Sequence, residues 1–480
     1  MLFNSLDFAI FLPIVFLLYW FVANKNIKLQ NFLIVVASYV FYGWWDWRFL
    51  SLIIFSTLVD YSVGVLLSKE EIKIKRKLLL WTSIGVNLGF LSFFKYYNFF
   101  LDNFISAFSF FAMEINANSL NIILPVGISF YTFQTLSYTI DVYKKKIEPT
   151  KDIIAFSAFV CFFPQLVAGP IERATNLLPQ FYKKREFDYS KAVDGMRQIL
   201  WGLFKKLVIA DNCAQYANEI FNNSVEYGGS TLVLGALFFT FQIYGDFSGY
   251  SDIAIGTSRL FGFNIMQNFA FPYFSRDIAE FWRRWHISLS TWFRDYLYIP
   301  IGGSRGGTWM KVRNTFIIFI VSGFWHGANW TFIVWGAINA VYFLPLLLTK
   351  NNRRNLDTVA KGKLLPSLKE TLLMLSTFGL TVFAWIFFRA ENLNHAYRYL
   401  SEIFSKSSLT SPEILPRTTI TLVIIFILLE WTGRNSQYAI FRLKDIKFKF
   451  IRWSVYLTLL LIIYFYGKFS SSIEFIYFQF

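Results

Sequence analysis

The stretch FIIFIVSGFWHGANWTFIVWGAINAVYFLPLLL (316–348) decides the class of fold. Two strongly apolar runs meet at HGAN (326–329), where Gly327 and Asn329 suit a chain break. Basic segments flank the pair, GGSRGGTWMKVR (302–313) before it and KNNRRN (350–355) after it. Such segments mark cytoplasmic membrane loops, so the two runs are expected to leave and return on the same side. The first limb holds only about a dozen apolar residues, roughly 18 Å of helix. That is short of a hydrocarbon core of about 30 Å. The turn carrying His326 is therefore expected inside the membrane. Irregular backbone at that depth is tolerated only within protein or along a wet cavity.

The rest of the chain agrees with a membrane class. Of 480 residues, 55% are hydrophobic, 21% aromatic and 16% charged. Soluble domains carry roughly 25% charge. With 58 phenylalanines, a soluble fold has no means of hiding its apolar surface. The net charge of +16 sits in short loops between apolar runs, which argues against a nucleic-acid partner. Those loops suit anionic lipid headgroups or an anionic co-substrate. Cys161 and Cys213 show neither pairing nor metal-ligand spacing. The opening MLFNSLD lacks Lys and Arg and carries Asp7, which argues against a cleavable leader.

Apolar segments of spanning or near-spanning length recur from residue 8 to residue 467. The expected fold is an all-α polytopic membrane protein with about eleven transmembrane helices plus re-entrant and interfacial helices. No internal repeat stands out, and residues 1–480 read as one integral-membrane domain with a core at about 120–350. The second and third runs turn through the Trp-rich GWWDWRF (43–49), and the next loop, KEEIKIKRK (69–77), is strongly basic. FPQLVAGPIER (163–173) carries Pro164, Gly169 and Pro170, so a broken or re-entrant helix is expected there.

Several stretches carry candidate chemistry. An ionisable residue inside a membrane is a functional candidate by default, and His is the usual general base near neutral pH. For His326 the plainer alternative is a neutral imidazole packed between Trp325 and Trp330. In EFWRRWHISLSTWFRDYLY (280–298), helical spacing puts Phe281, Trp285, Leu289, Trp292 and Tyr296 on one stripe. Arg283, His286, Ser290 and Arg294 fall on a polar stripe beside it. The reading is one basic amphipathic helix at the interface or at a cytoplasmic mouth. Arg283, Arg284, Arg294 and Arg305 are candidates to draw a phosphate-bearing donor. IPIGGSRGG (299–307) reads as a turn, since it lacks the Walker spacing. In YGDFSGYSDIAIG (244–256), Asp246, Ser248, Ser251 and Asp252 suit a polar cavity, while Gly245, Gly249 and Gly256 suit close helix packing. Asn329 joins the candidate substrate-facing groups. Asp60 is expected to bond a neighbouring helix, and His395 to lie at the surface. No metal cluster and no G-x-S-x-G elbow is present in the sequence.

Taken in order, FPQLVAGPIER, YGDFSGYSDIAIG, FWRRWHISLSTWFRDYLYIPIGG and FWHGANWT resemble the membrane-bound O-acyltransferase family. The opening MLFNSLDFAIFLPIVFLLYW and the terminal FIYFQF are similar to its bacterial branch that O-acetylates exopolysaccharides such as alginate. The resemblance implies helices around a central funnel, with His326 as the essential histidine and His286 as the second, on the cytoplasmic approach. It implies no bound cofactor, and a cytoplasmic acyl thioester such as acetyl-CoA as donor. It further implies export of the acetyl group across the bacterial inner membrane to periplasmic acetyltransferase partners and a polysaccharide acceptor. Peptidoglycan acylation, D-alanylation of teichoic acid and a non-enzymatic transporter remain as alternatives. A transporter is disfavoured by the lack of internal symmetry.

Overall fold

The computed structural model describes residues 1–111, 117–469 and 476. The FIYFQF motif (475–480) lies outside the described residues except for Ile476. Every regular element among the described residues is helical. Six helical stretches are long and apolar enough to cross a membrane: 27–69, 73–110, 229–260, 330–348, 368–389 and 449–466. Many of their apolar side chains face outward, for instance Leu457, Leu460, Tyr464 and Phe465 on the last of them. Water would penalise such faces and hydrocarbon accepts them, so the chain is an integral membrane protein.

The chain forms two compact units, residues 1–191 with 258–265, and residues 192–257 with 266–480. The first unit holds α1 (Leu6–Leu17), α2 (Ile27–Asp46), α3 (Leu50–Lys69), α4 (Lys73–Leu91), α5 (Tyr97–Phe110), α6 (Ile128–Tyr143) and α7 (Ile153–Cys161). Short helices α8 (Phe163–Leu166) and α9 (Ala174–Leu177) follow. Asn26 caps α2 by accepting from the Lys28 amide, and Asp152 caps α7 through the Ile154 and Ala155 amides. GWWDWRF makes a 3-10 turn (Trp47–Phe49) in which Asp46 accepts from Arg48. Helices α3, α4 and α6 close around Asp60. Its carboxylate accepts from Ser83, from Asn87 at 2.8 Å and from Thr139 at 2.8 Å. The expected bond to a neighbouring helix is thus three bonds, to two helices. The expected break also appears: α7 stops at Cys161, Phe162 leaves the helical region with ψ 103°, and Pro164 sits in the first turn of α8.

The second unit is built from α10 (Tyr189–Leu203), α11 (Asp211–Asn222), α12 (Gly229–Leu260), α13 (Ile278–Arg284) and α14 (Ile287–Phe293). Five longer helices and one shorter complete it: α15 (Thr308–His326), α16 (Trp330–Leu348), α17 (Leu368–Arg389), the shorter α18 (Leu393–Ile403), α19 (Arg417–Gly433) and α20 (Lys449–Tyr466). A π-helical segment, Phe204–Ala210, joins α10 to α11. Helix α15 corrects one expectation. It is 19 residues long, about 28 Å, not a short limb. The polar TWMKVR segment continues the helix because backbone hydrogen bonds do not require an apolar side chain. The break after His326 is where it was expected: Asn329 caps α16 by accepting from the Thr331 amide at 3.0 Å. Its amide also donates to the Glu391 carbonyl at 2.7 Å.

Candidate active site

His326 is the last residue of α15, and it is buried. Its ring lies against Trp325 (4.9 Å between centroids), Trp335 of α16 (5.3 Å) and Phe388 of α17 (5.2 Å), each edge-on. Trp330, the other neighbour expected from sequence, is 51% exposed. Trp335 stacks on Trp385 at 5.6 Å, and Trp385 lies 5.1 Å from Trp285. These rings form an apolar wall that keeps bulk water from the imidazole.

His286 departs further from expectation. The single amphipathic helix over 280–298 does not form. Helix α13 ends at Arg284, and α14 starts at Ile287. His286 itself is left-handed, with φ 44°. Bulky residues avoid that region, and such strain is commonest at functional sites. The cause is the segment 268–270, which takes over the backbone bonds. The Ala270 amide donates to the Arg284 carbonyl, and the Ile287 amide donates to the Asn268 carbonyl, each at 2.9 Å. The turn swings His286 off the arginine stripe and into the core. There its ring sits 4.6 Å from Phe247 of α12 and 6.2 Å from Trp325. Both histidines therefore border one indole.

Asn268 sets the state of His286. The Ser288 amide donates to Asn268 Oδ1 at 3.2 Å, and the Ser288 hydroxyl donates to it at 2.9 Å. His286 Nδ1 lies 3.1 Å from the same oxygen, so Nδ1 carries the proton and Nε2 keeps its lone pair. Asn268 Nδ2 donates to Ser251 at 3.2 Å, which fixes the amide orientation. His286 lies outside the spanning helices, and burial pushes its imidazole down to about 3, so the ring is neutral.

The remaining candidates separate. Arg284 shares Glu280 with Arg276, at 2.9 Å and 3.0 Å. Arg283 binds carbonyls rather than a carboxylate, those of Asn352 and Asn355, each at 2.7 Å. Arg294 pairs with Asp295 at 2.7 Å. Arg305 is exposed in the glycine turn, where Gly302 and Gly303 have positive φ. The Ser290 amide donates to the His286 carbonyl at 3.0 Å and so supports the turn. Asp246 pairs with Lys206 at 2.8 Å, and Asp252 with Lys205 at 2.6 Å. Close glycine packing coexists with these pairs, since a Cβ on Gly249 would meet the Gly202 carbonyl at 2.9 Å. His395, expected at the surface, is half-buried and lies 3.1 Å from the Ser224 hydroxyl. Sequence reading missed Asn268, Lys205 and Lys206. The two lysines had a signal, because WGLFKKLVIA (201–210) puts charge in an apolar run.

Residues 147–387, which include both histidines, match the membrane-bound O-acyltransferase family. The chain belongs to that family. It is 40% identical over 447 residues to the probable alginate O-acetylase of Pseudomonas putida, covering 91% of this chain and 88% of that protein. It is 34% identical to the peptidoglycan O-acetyltransferase of Helicobacter pylori, over 83% of this chain and 79% of the relative. It is 28% identical to the teichoic acid D-alanyltransferase of Bacillus subtilis, over 57% of this chain and 71% of the relative. The protein is accordingly an acyltransferase.

Proposed function

We propose that this acyltransferase takes an acetyl group from a cytoplasmic thioester, acetyl-CoA, and passes it across the bacterial inner membrane for O-acetylation of an extracytoplasmic polysaccharide of the alginate kind. Periplasmic acetyltransferase partners complete the transfer. About eleven spans surround a central funnel, and the core of the single catalytic domain lies at about 120–350. The observation that carries this reading is the buried, aromatic-walled His326 sharing Trp325 with a second buried histidine.

The chemistry follows from that surrounding. A thioester is lost to hydrolysis wherever water reaches it, and the walls of Trp325, Trp335 and Phe388 exclude water. His326 acts as general base. The imidazole takes the proton of the hydroxyl that receives the acetyl group, and the hydroxyl oxygen bonds to the thioester carbonyl carbon. The carbon–sulfur bond then breaks, and the imidazolium returns that proton to the departing thiolate, which leaves as the thiol. His286, neutral and with Nε2 unprotonated, supports this step from the other edge of Trp325. Asp246, Ser290 and Asn329 hold the surrounding backbone and helices. Arg283, Arg284, Arg294 and Arg305 attract the anionic donor. Arg283 is the one to test, because its fork is bonded to carbonyls, those of Asn352 and Asn355, rather than directly to a carboxylate. Arg283→Gln should raise the KM for acetyl-CoA with little change in kcat, and an unchanged KM would remove this role.

His326→Ala tests the whole reading. O-acetylation of cell-surface polymers should fall to background while the protein still reaches the membrane. Parental acetylation by that variant would refute it. Peptidoglycan is the second acceptor class, favoured by the Helicobacter relative. Acetyl analysis of exopolysaccharide and of purified cell wall separates the two.

A further inference from the structure

A cavity of about 300 Å³ lies in the second unit, walled by α12, α17, α19 and the 3-10 turn Pro272–Phe274. Phe241, Tyr273, Met374, Leu375, Phe378 and Phe426 give it an apolar lining. Its polar groups answer each other, since the Tyr244 hydroxyl donates to Glu430 at 2.5 Å. An apolar cavity of about half this size stays dry and accepts benzene, so water is a poor occupant here. Leu375 lines the cavity and is also 62% exposed, which puts the mouth on the outward face of α17. That face continues in Leu372, and on α19 in Leu428, both outward-facing. The mouth thus opens into bilayer hydrocarbon, and the molecules available to enter are lipid chains.

The position along the helices adds a headgroup. Thr371, in the first turn of α17, and Glu430, in the last turn of α19, both line the cavity. The cavity therefore lies just inside the membrane interface. At that interface Trp431 Nε1 donates to the Leu364 carbonyl at 2.9 Å, and Arg434 covers the Trp431 ring at 4.0 Å. Leu364, Leu365 and Leu368 are exposed there beside exposed Lys363 and Lys369. Trp and Leu with Lys is the composition of an interfacial anchor, and cations at that depth attract anionic headgroups.

We infer that this cavity binds one acyl chain of an anionic glycerophospholipid whose phosphate lies at Lys363 and Lys369. The test uses the full chain in phosphatidylcholine vesicles doped with phosphatidylglycerol that bears a diazirine in one acyl chain. After illumination, labelled peptides should map to 371–378 and 426–430. Met374→Trp, which fills the cavity, should cut that labelling several-fold, and Leu372→Trp on the outer face should not. Lys363→Gln with Lys369→Gln, both at exposed sites, should erase the preference for phosphatidylglycerol over an equally tagged phosphatidylcholine without disturbing the core. Labelling spread evenly over the outward faces would overturn the inference. So would labelling indifferent to Met374→Trp, or equal labelling by the two lipids in the parent chain.

Discussion

Asn268 does the work at His286 that a carboxylate does in many catalytic histidine pairs, without adding charge. Its oxygen gathers three donors, the Ser288 amide, the Ser288 hydroxyl and His286 Nδ1. A neutral acceptor orients the ring and fixes the tautomer, but it does not favour the imidazolium. Removing the acceptor should free the ring to adopt either tautomer. Asn268→Leu should therefore lower acetyl transfer by about tenfold or more, the range in which positioned acid–base groups act. Asn268→Asp should behave differently. A carboxylate against Nδ1 favours the charged ring and raises the imidazole from about 3. Its proton is then taken up at higher pH, so the acid limb of the pH–rate profile moves up. Equal profiles for the parent and Asn268→Asp would show that His286 takes no part in the rate. His326 was legible in the sequence because a membrane makes any histidine conspicuous. Asn268 was not, because one Asn in an irregular connection carries no pattern until the fold sets Ser288 and His286 on it.

At the scale of elements, the two histidines depend on two breaks of unlike origin. The break after His326 is written locally, in Gly327 and in Asn329 as a cap. The break at His286 has no Gly or Pro, and the apolar stripe Phe281–Trp285–Leu289 runs straight through it. The amide of Ala270 and the carbonyl of Asn268 come from a segment well before the break, and they compete successfully with the helix for the backbone of 284–287. Periodicity cannot report such a competitor. The α15–α16 hairpin is held by contact of its backbones. A Cβ on Gly323 would run into the Phe332 carbonyl, and one on Gly336 into the Phe319 carbonyl. Each collision is with backbone, which has little room to yield. Gly323→Val should force the helices apart around His326, at an overpacking cost of about 1–3 kcal/mol or more. The expected result is a lower melting temperature in detergent and loss of acetyl transfer. An unshifted melting temperature would show that the hairpin tolerates separation.

Across the whole chain, the excess of positive charge divides into two populations. Most of it lies in loops and towards helix ends, where composition and hydropathy patterning place it. Lys205 and Lys206 do not. They sit in the π-helical segment between α10 and α11, both buried, and carboxylates from α11 and α12 surround them. Lys206 bridges Asp211 at 2.9 Å and Asp246 at 2.8 Å, while the Ile476 amide donates to Asp246 at 2.8 Å. One cation thus ties two helices and the end of the described chain to a single point. Desolvating such a group is expensive, and the pairing offsets that cost only while every member is present. Lys206→Met leaves two buried acids facing each other and should destabilise by about 3–5 kcal/mol. Adding Asp246→Leu and Asp211→Leu removes the stranded charges and should recover part of that loss, less the cost of the Ile476 amide that loses its acceptor. Melting temperature in detergent, read for the single and triple variants, checks both steps. A triple variant less stable than Lys206→Met would mean that the charges support the fold by more than mutual neutralisation.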